Sequence, residues 1–219
     1  MSYFGSERER TATNLNLYDF DIDKSTGKYD MPVILSEKHV PKALMSFNYM
    51  LSRNDFEKGI HFFLDDYQFE RVWNNPIKYF GRLSKFDCAL TPDFSLYLDM
   101  PIAMQIWQVY KNRLIGQMMH DYGVKTIPTI AWSDARSYEF CFDGVEPNGT
   151  IAVSTVGVMR SKQAKELWYK GMEEAEKRLS PSHVLVYGSD IGYEFKCEYT
   201  YYGNSNAEGL RNRGGKHGR

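Results

Sequence analysis

Polar side chains follow the apolar runs of this sequence at the points where the runs end. Most of the runs end in a carboxylate, and serine, threonine or tryptophan stands beside several of them. The residues at these ends are Asp65, Asp66, Asp93, Ser95, Trp132, Ser133, Asp134, Ser154, Thr155, Ser189 and Asp190. Two carboxylates that approach each other repel, which raises the pKa of at least one, so that one can act as an acid and the other as a base.

Three of these carboxylates, Asp66, Asp93 and Asp134, are the candidate catalytic groups. A pair about 5–5.5 Å apart would suit a retaining glycosidase and a pair about 6.5–9.5 Å apart an inverting one, whereas a closer cluster would hold Mg²⁺ for phosphoryl chemistry. Because the sequence does not give these distances, the cofactor stays unknown, with Mg²⁺ as the ion considered.

The other side chains at the run ends would bind a polar substrate. Hydroxyl groups would orient it through hydrogen bonds, aromatic rings would stack on a sugar or a base, and a guanidinium would reach a phosphate or a carboxylate. The predicted substrate-binding residues are Ser133, Ser154, Thr155 and Ser189 for the hydroxyls, Trp132 and Tyr67 for the rings, and Arg136 for the cation.

A structural role is the alternative for each of these residues. Asp66, Asp134 and Asp190 stand where a helix N-cap is expected, and a cap stabilises a helix by about 1 kcal/mol without any catalysis. Trp132 could equally be packed in the core. Asp93 is the strongest functional candidate, because an irregular segment separates it from the next predicted helix.

The order of apolar and amphipathic segments predicts repeated βα units. The predicted strands are MPVIL, GIHFFLDD, FDCALTPDFS, TIPTIAWSD, GTIAVSTVG and HVLVYGSD. Helices are expected in PKALMSFNYMLSR and FERVWNNPIKYFGRL, after Pro101 with Asp99 as the cap, and after Ser161, which would cap the last helix. The segments NLYDFDI and FKCEYTYY could add edge strands.

These units predict an α/β fold that is barrel-like, (βα)n, and compressed or incomplete relative to a TIM-type barrel, which usually needs about 250 residues. The alternative is a doubly wound parallel sheet. In either fold the carboxyl ends of the strands converge on one side, where ligands bind. The expected organisation is an N-terminal arm or edge strand over residues 1–30, a single α/β domain over 31–202 and a disordered basic tail over 203–219.

Composition and charge exclude several classes of protein. The net charge is −1, and the tail holds Arg211, Arg213, Lys216 and Arg219 against Glu208. The body is therefore acidic, so we expect nucleic acid to bind only weakly and through the tail. No apolar run is long enough for a membrane span, and neither the three cysteines nor the five histidines show metal-ligand spacing, so no metal site is predicted.

Three motifs carry a resemblance to a known family. They are PDFSLYLDMPIAMQIW from Pro92 to Trp107, AWSDARSYEFCFDG from Ala131 to Gly144 and AVSTVG from Ala152 to Gly157. The region from about Met31 to Asp190 resembles a family of phage and bacterial mobile-element proteins catalogued as domain of unknown function number 4417. The resemblance implies a phage origin and a cytoplasmic role in the host cell. It gives no residue a role, because the family carries no assigned activity.

Two main hypotheses follow from these patterns. The first is a carboxylate-based enzyme, hydrolase or glycosidase-like, that uses Asp93 and Asp134 with Asp66 as acid, base or metal ligands on a sugar, nucleoside or nucleotide. The alternative is a non-catalytic modulator that binds or sequesters a host nucleotide or a host protein, so the expected partner is a small polar ligand or a host factor. A third hypothesis gives the basic tail a nucleic-acid role.

Overall fold

The structure, a computed structural model, describes residues 7–203 and the backbone of residues 210 and 211. The helices are α1 (Glu7–Asn14), α2 (Glu70–Asn74), α3 (Ile77–Leu83), α4 (Ile102–Asp121) and α5 (Lys162–Leu179). The strands are β1 (Ser25–Thr26), β2 (Met31–Pro32), β3 (Leu44–Ser46), β4 (Gly59–His61), β5 (Cys88–Leu90), β6 (Thr126–Ile127), β7 (Thr150–Ser154), β8 (His183–Tyr187), β9 (Glu198–Tyr202) and β10 (Leu210–Arg211).

Parallel strands dominate the molecule. Strands β3, β4, β5 and β6 form one parallel sheet in chain order, and β7, β8 and β9 form a second, to which β10 adds an antiparallel edge. A short antiparallel hairpin of β1 and β2 lies before them. The predicted class, α/β with parallel strands, is confirmed.

The two parallel sheets meet between β6 and β7. Thr129 and Ala152 form a parallel bridge, and the Ala152 amide donates to the Pro128 carbonyl at 2.9 Å while the Ile130 amide donates to the Ala152 carbonyl at 2.8 Å. Within the described residues no ladder joins β3 to β9 or β10. Neither sheet, over the same residues, reverses its strand order as a doubly wound sheet does.

Alternating side chains on each strand divide the core into three clusters. Ala89 on β5 packs under α2, α3 and α4, and α5 covers β7 to β9 on the equivalent face of the second sheet. Cys88 and Leu90, on either side of Ala89, point the opposite way into a third cluster, because successive strand side chains alternate in direction. That cluster draws on both sheets and contains Leu44, Cys88, Leu90, Ile127, Ala152, Leu185 and Tyr202.

The two long helices form largely where the sequence predicted them. Ser161 caps α5, and its Oγ accepts from the Ala164 amide at 3.0 Å, as expected. Helix α4 begins directly after Pro101, but the predicted Asp99 cap is wrong, since no side chain caps this end. The helix ends at Asp121, and Gly123 follows with a φ of 76° that few other residues adopt without strain.

Two local predictions were wrong. The segment PKALMSFNYMLSR, predicted as a helix, contains β3 and a single 3₁₀ turn at Phe47–Tyr49. Pairing with β4 in the buried sheet overrides a helical pattern that no side-chain cap supports. NLYDFDI, a predicted edge strand, forms 3₁₀ turns, whereas FKCEYTYY does contain β9. Most of the predicted basic tail, residues 203–219, lies outside the described residues.

Candidate functional site

Helix α4 presents polar side chains to the carboxyl ends of β5 and β6. The Asn112 Nδ2 group donates to the Pro92 carbonyl at 2.7 Å, and its Oδ1 accepts from the Thr91 hydroxyl at 3.1 Å. Thr91 and Thr129 bond reciprocally, because the Thr129 amide donates to the Thr91 Oγ1 and the Thr129 hydroxyl donates to the Thr91 carbonyl, both at 2.8 Å. The network fixes the two strand ends relative to the helix.

Arg113 is a buried cation beside this network. Its Nη2 donates to the Cys141 carbonyl at 2.7 Å, its Nε donates to the Asp143 carbonyl at 2.8 Å, and its Nη1 donates to Asn112 and Thr129. Burial lowers the pKa of Arg113 to about 10. Backbone carbonyls thus satisfy most of its five N–H donors, and the guanidinium ties α4 to the segment after β6.

A small pocket opens at this place. Its empty volume is about 210 Å³ including the part open to solvent, and it has room for about one water molecule. The residues that line it are Asp93, Phe94, Leu96, Gln108, Val109, Asn112, Arg113, Thr129 and Ala131. The pocket therefore combines apolar walls with amide, hydroxyl, carboxyl and guanidinium groups.

Asp93 is the one carboxyl that lines the pocket. It is half-buried, and within residues 7–203 its side chain makes no hydrogen bond or ion pair. Burial, and next the nearby charge of Asp66, raises the pKa of Asp93 to about 7. At neutral pH the protonated and ionised forms of this carboxyl are therefore present in comparable amounts.

Asp66 lies beside Asp93 but is held by hydrogen bonds. Its carboxylate accepts from the Ser95 hydroxyl at 2.8 Å and from the Ser95 amide at 3.2 Å. Gln108 Nε2 donates to the same carboxylate at 3.3 Å. Asp66 does not cap a helix, and it fixes the loop that carries Asp93 and Ser95 against α4.

Lys111 is a second buried cation on α4. Its Nζ lies 3.9 Å from the centre of the Phe94 ring. Burial lowers the pKa of Lys111, while the charges of Glu70 and Asp66 oppose that shift. Lys111 thus lies within electrostatic range of Asp66, whereas Arg113 lines the pocket with Asp93.

Asp134 has a different environment. Its carboxylate accepts from the Arg136 amide at 2.9 Å and so caps the 3₁₀ helix Ala135–Glu139. The Arg136 guanidinium donates to the same carboxylate at 2.8–3.1 Å, and this pairing lowers the pKa of Asp134. The capping alternative is confirmed here, and neither Asp134 nor Arg136 lines the pocket.

Trp132 is packed between β6 and α5. Its Nε1 donates to the Leu167 carbonyl at 3.2 Å, and its ring contacts Trp168 and Phe142. Gly171 on α5 leaves the space for this ring, because a Cβ at that position would overlap it. These contacts are those of a partly buried core residue.

The predicted hydroxyl ligands are spread over several contacts. Ser133 is buried and donates to Gln105 at 2.6 Å, and Ser154 accepts from the Val156 amide at 3.1 Å. The Thr155 hydroxyl donates to the Ser189 carbonyl at 2.8 Å, whereas Ser189 itself is exposed. Tyr67 is 77% exposed. None of these residues lines the pocket, and their substrate-binding roles stay predictions.

The polar residues of α4 were missed by sequence reasoning. The buried residues of this helix include Gln105, Asn112, Arg113 and Gln117 beside apolar side chains such as Leu114 and Met118. Gln105 and Asn112 are seven residues apart and so fall on one face of the helix. Polar side chains at that spacing, among the apolar residues of this segment, could have indicated a buried polar face on the helix.

The described helices include none that is both long and apolar enough to cross a membrane. Residues 23–202 match the model of a family described as a domain of unknown function, DUF4417. The Gene 1 protein of Mycobacterium phage L5 is 38% identical over 168 residues, which cover 75% of this chain and 73% of that protein. The Gene 1 protein of Mycobacterium phage D29 is 36% identical over 168 residues, which cover 75% of this chain and 62% of that protein.

The chain thus spans less than two thirds of the D29 relative. No solved structure gives a significant match. The family match extends from the β1–β2 hairpin through β9 and includes every residue that lines the pocket. On that match and on the two phage relatives, the chain belongs to the DUF4417 family, as its motifs predicted.

Proposed function

We propose that this protein is an enzyme in which Asp93 transfers a proton during hydrolysis of a small polar substrate. The observation that carries the proposal is a carboxyl that lines a pocket without a protein partner among the described residues, while the polar groups around it are engaged. A pKa of about 7 suits a general acid or base that works at neutral pH.

The size of the pocket is compatible with hydrolysis. It has room for about one water molecule next to Asp93, and its solvent-facing part would receive the group to be cleaved. In this scheme the ionised carboxyl of Asp93 accepts a proton from that water as it attacks. Asp66 positions the loop and, through its charge, raises the pKa of Asp93.

The substrate class follows from the groups near the pocket. The wall of the pocket is partly polar, since Gln108, Asn112, Thr129 and Arg113 line it. A sugar, nucleoside or nucleotide suits such a wall, and the buried charge of Arg113 would attract an anionic group. A phage-encoded enzyme of this kind would act in the host cytoplasm.

We also propose that the two parallel sheets curve into one barrel-like (βα)n arrangement. The third core cluster supports this, because it contains side chains from β3, β5, β6, β7, β8 and β9. A second support is the Tyr202 hydroxyl at the end of β9, which donates to the carbonyl of Pro41, just before β3, at 2.7 Å. In a barrel the carboxyl ends of the strands face one rim, and Asp93 would lie on that rim.

The experiment is a comparison of three proteins on a panel of nucleosides, nucleotides, sugar phosphates and glycosides, with products followed by mass spectrometry. The wild type is compared with Asp93→Asn and with the matched control Asp134→Asn. We expect Asp93→Asn to lose at least about 100-fold in turnover, since general catalysis contributes about 10²–10⁴-fold. Asp134→Asn should keep its turnover, and addition of EDTA with or without Mg²⁺ tests the metal-assisted variant.

Equal turnover in Asp93→Asn and wild type would contradict the proposal. If the wild type consumes no compound while both variants bind one with unchanged affinity, the protein is a binder that sequesters its ligand. The pH dependence gives an independent reading, because the rate should rise as the pH passes through about 7, the pKa of Asp93.

A further inference from the structure

A group of three metal-ligand side chains lies at the amino end of β5. Among the described residues, His39, Asp87 and Cys88 bring one ligand atom each to within 4.8 Å of one another. The His39 Nε2 lies 2.7 Å from Asp87 Oδ2. Asp87 immediately precedes β5 and Cys88 is its first residue, whereas Asp93 follows the other end of the strand, so this group is separate from the pocket.

We propose that His39, Asp87 and Cys88 form a three-ligand Zn²⁺ site that connects the segment before β3 to the start of β5. His39 lies in one segment, and Asp87 and Cys88 are adjacent in another. The site would tie together two parts of the chain that are distant in sequence. It goes beyond the hydrolytic function proposed for Asp93.

A hydrogen bond fixes the segment that carries His39. The Glu37 carbonyl accepts from the Thr150 amide at 2.6 Å, which holds the backbone of this segment beside β7.

The geometry needs only small side-chain adjustments. A tetrahedral Zn²⁺ with bonds of about 2.0–2.3 Å separates its ligand atoms by roughly 3.3–3.8 Å. The His39–Asp87 distance of 2.7 Å would open, and the largest separation, at most 4.8 Å, would close by about 1 Å. His39 and Asp87 keep 26% and 24% of their side chains exposed, which leaves a way in for the ion.

The neighbours of the site are compatible with a cation. Lys125 Nζ lies 4.0 Å from Asp87 Oδ1, which is the carboxylate oxygen that does not face His39. The Lys125 side chain is 41% exposed. It can therefore turn into solvent when an ion binds. Gly59 leaves room for the Cys88 sulfur, because a Cβ there would fall 2.7 Å from Sγ.

The ligand types select the ion. A thiolate, an imidazole and a carboxylate are a typical Zn²⁺ set, whereas Mg²⁺ and Ca²⁺ prefer oxygen ligands alone. Binding would displace the Cys88 thiol proton, because the metal ligand is the thiolate. That proton would be released to solvent.

The test is a titration of the purified, metal-free protein with Co²⁺ as a spectroscopic probe, followed by competition with Zn²⁺. We expect one Co²⁺ per chain, a near-ultraviolet thiolate-to-cobalt band, and the loss of that band on addition of Zn²⁺. Cys88→Ser should abolish the band, and the matched control Cys141→Ser, also a buried cysteine, should keep it. His39→Ala should weaken Zn²⁺ binding at least about tenfold, because removing even a residue that only hydrogen-bonds a metal ligand lowers metal affinity about 10–100-fold.

Two outcomes would overturn the site. One is a Co²⁺ spectrum without a thiolate band. The other is a band that persists in Cys88→Ser. If Cys88→Ser does not fold, the decision falls to His39→Ala, which changes a partly exposed residue, and a His39→Ala protein that binds Co²⁺ and Zn²⁺ as tightly as wild type would overturn the site. Asp93→Asn should keep the cobalt band, so a failure of the hydrolytic proposal would leave this one standing.

Discussion

Asp93 and Asp134 are the same residue type, each close behind a strand of the first sheet, yet their surroundings differ in every respect that sets a pKa. Asp93 is half-buried, faces a pocket and is accompanied by another carboxylate. Asp134 accepts from the Arg136 amide and guanidinium. The pKa of Asp93 is raised and the pKa of Asp134 is lowered.

The difference teaches that a strand-end carboxylate is functional or structural according to its partners. A carboxylate with a guanidinium and an amide N–H stabilises the fold as an anion. One without partners in a confined place costs the folded state free energy whenever it is ionised. A carboxyl that lies unpaired at a pocket in spite of this free-energy cost is therefore a candidate catalytic group.

The largest effect is expected from Asp93→Asn on stability. A carboxyl whose pKa is higher in the folded than in the unfolded protein makes stability fall as the pH rises from about 4 to about 7, because the folded state holds the proton more tightly. One pKa unit corresponds to about 1.4 kcal/mol, so the rise from 3.8 to about 7 corresponds to at most about 4 kcal/mol. The Asp93→Asn protein should not show this decrease in stability and should be more stable than wild type above pH 7. Urea unfolding of both proteins across this pH range measures the difference.

Asp66→Asn is the companion variant in that series. Removing the Asp66 charge should lower the pKa of Asp93, so that the fall in stability ends at a lower pH. The fall should not disappear, because burial is the larger cause of the raised pKa. A wild-type stability that is flat between pH 4 and 7 would show that Asp93 has an ordinary pKa. The contrast with Asp134 would then disappear.

A middle effect is expected from Gly171→Ala, which tests the packing of Trp132, two residues before Asp134. The added methyl group would overlap the Trp132 ring, and overpacking of this kind costs about 1–3 kcal/mol. The matched control is Gly81→Ala in α3, where a Cβ meets nothing within 4 Å and where alanine should stabilise by about 0.5–1 kcal/mol. Thermal unfolding of both variants measures the difference, and a Gly171→Ala protein as stable as wild type would mean that Trp132 is free to move.

The smallest effect is expected from Asp134→Ala. Loss of the cap costs about 1 kcal/mol, and the largely exposed Arg136 adds little to that. The sign of its pH dependence is opposite to that of Asp93: the lowered pKa gives stability that is present above about pH 4 and is lost as the pH falls. A loss of several kcal/mol, or a stability difference that grows as the pH falls, would contradict the surface role of this pair.

Local patterns predicted much of the secondary structure and one part of the site. The strand GTIAVSTVG and the helix capped by Ser161 were clear because apolar side chains and a capping residue agree at short range. Asp93 stood out because the segment after it is irregular. PKALMSFNYMLSR was read wrongly, since only its pairing with β4, a segment distant in sequence, decides between strand and helix.

The sequence alone determined the α/β class with parallel strands, the family, and the short list of strand-end carboxylates, because these depend on patterns within a few tens of residues. Tertiary structure decided which carboxylate is left without a partner. The pKa of Asp93 depends on burial against α4 and on Asp66, 27 positions away in sequence. Tertiary structure likewise brought His39 to Asp87 and Cys88, since contact between side chains distant in sequence follows only from how the strands and helices pack.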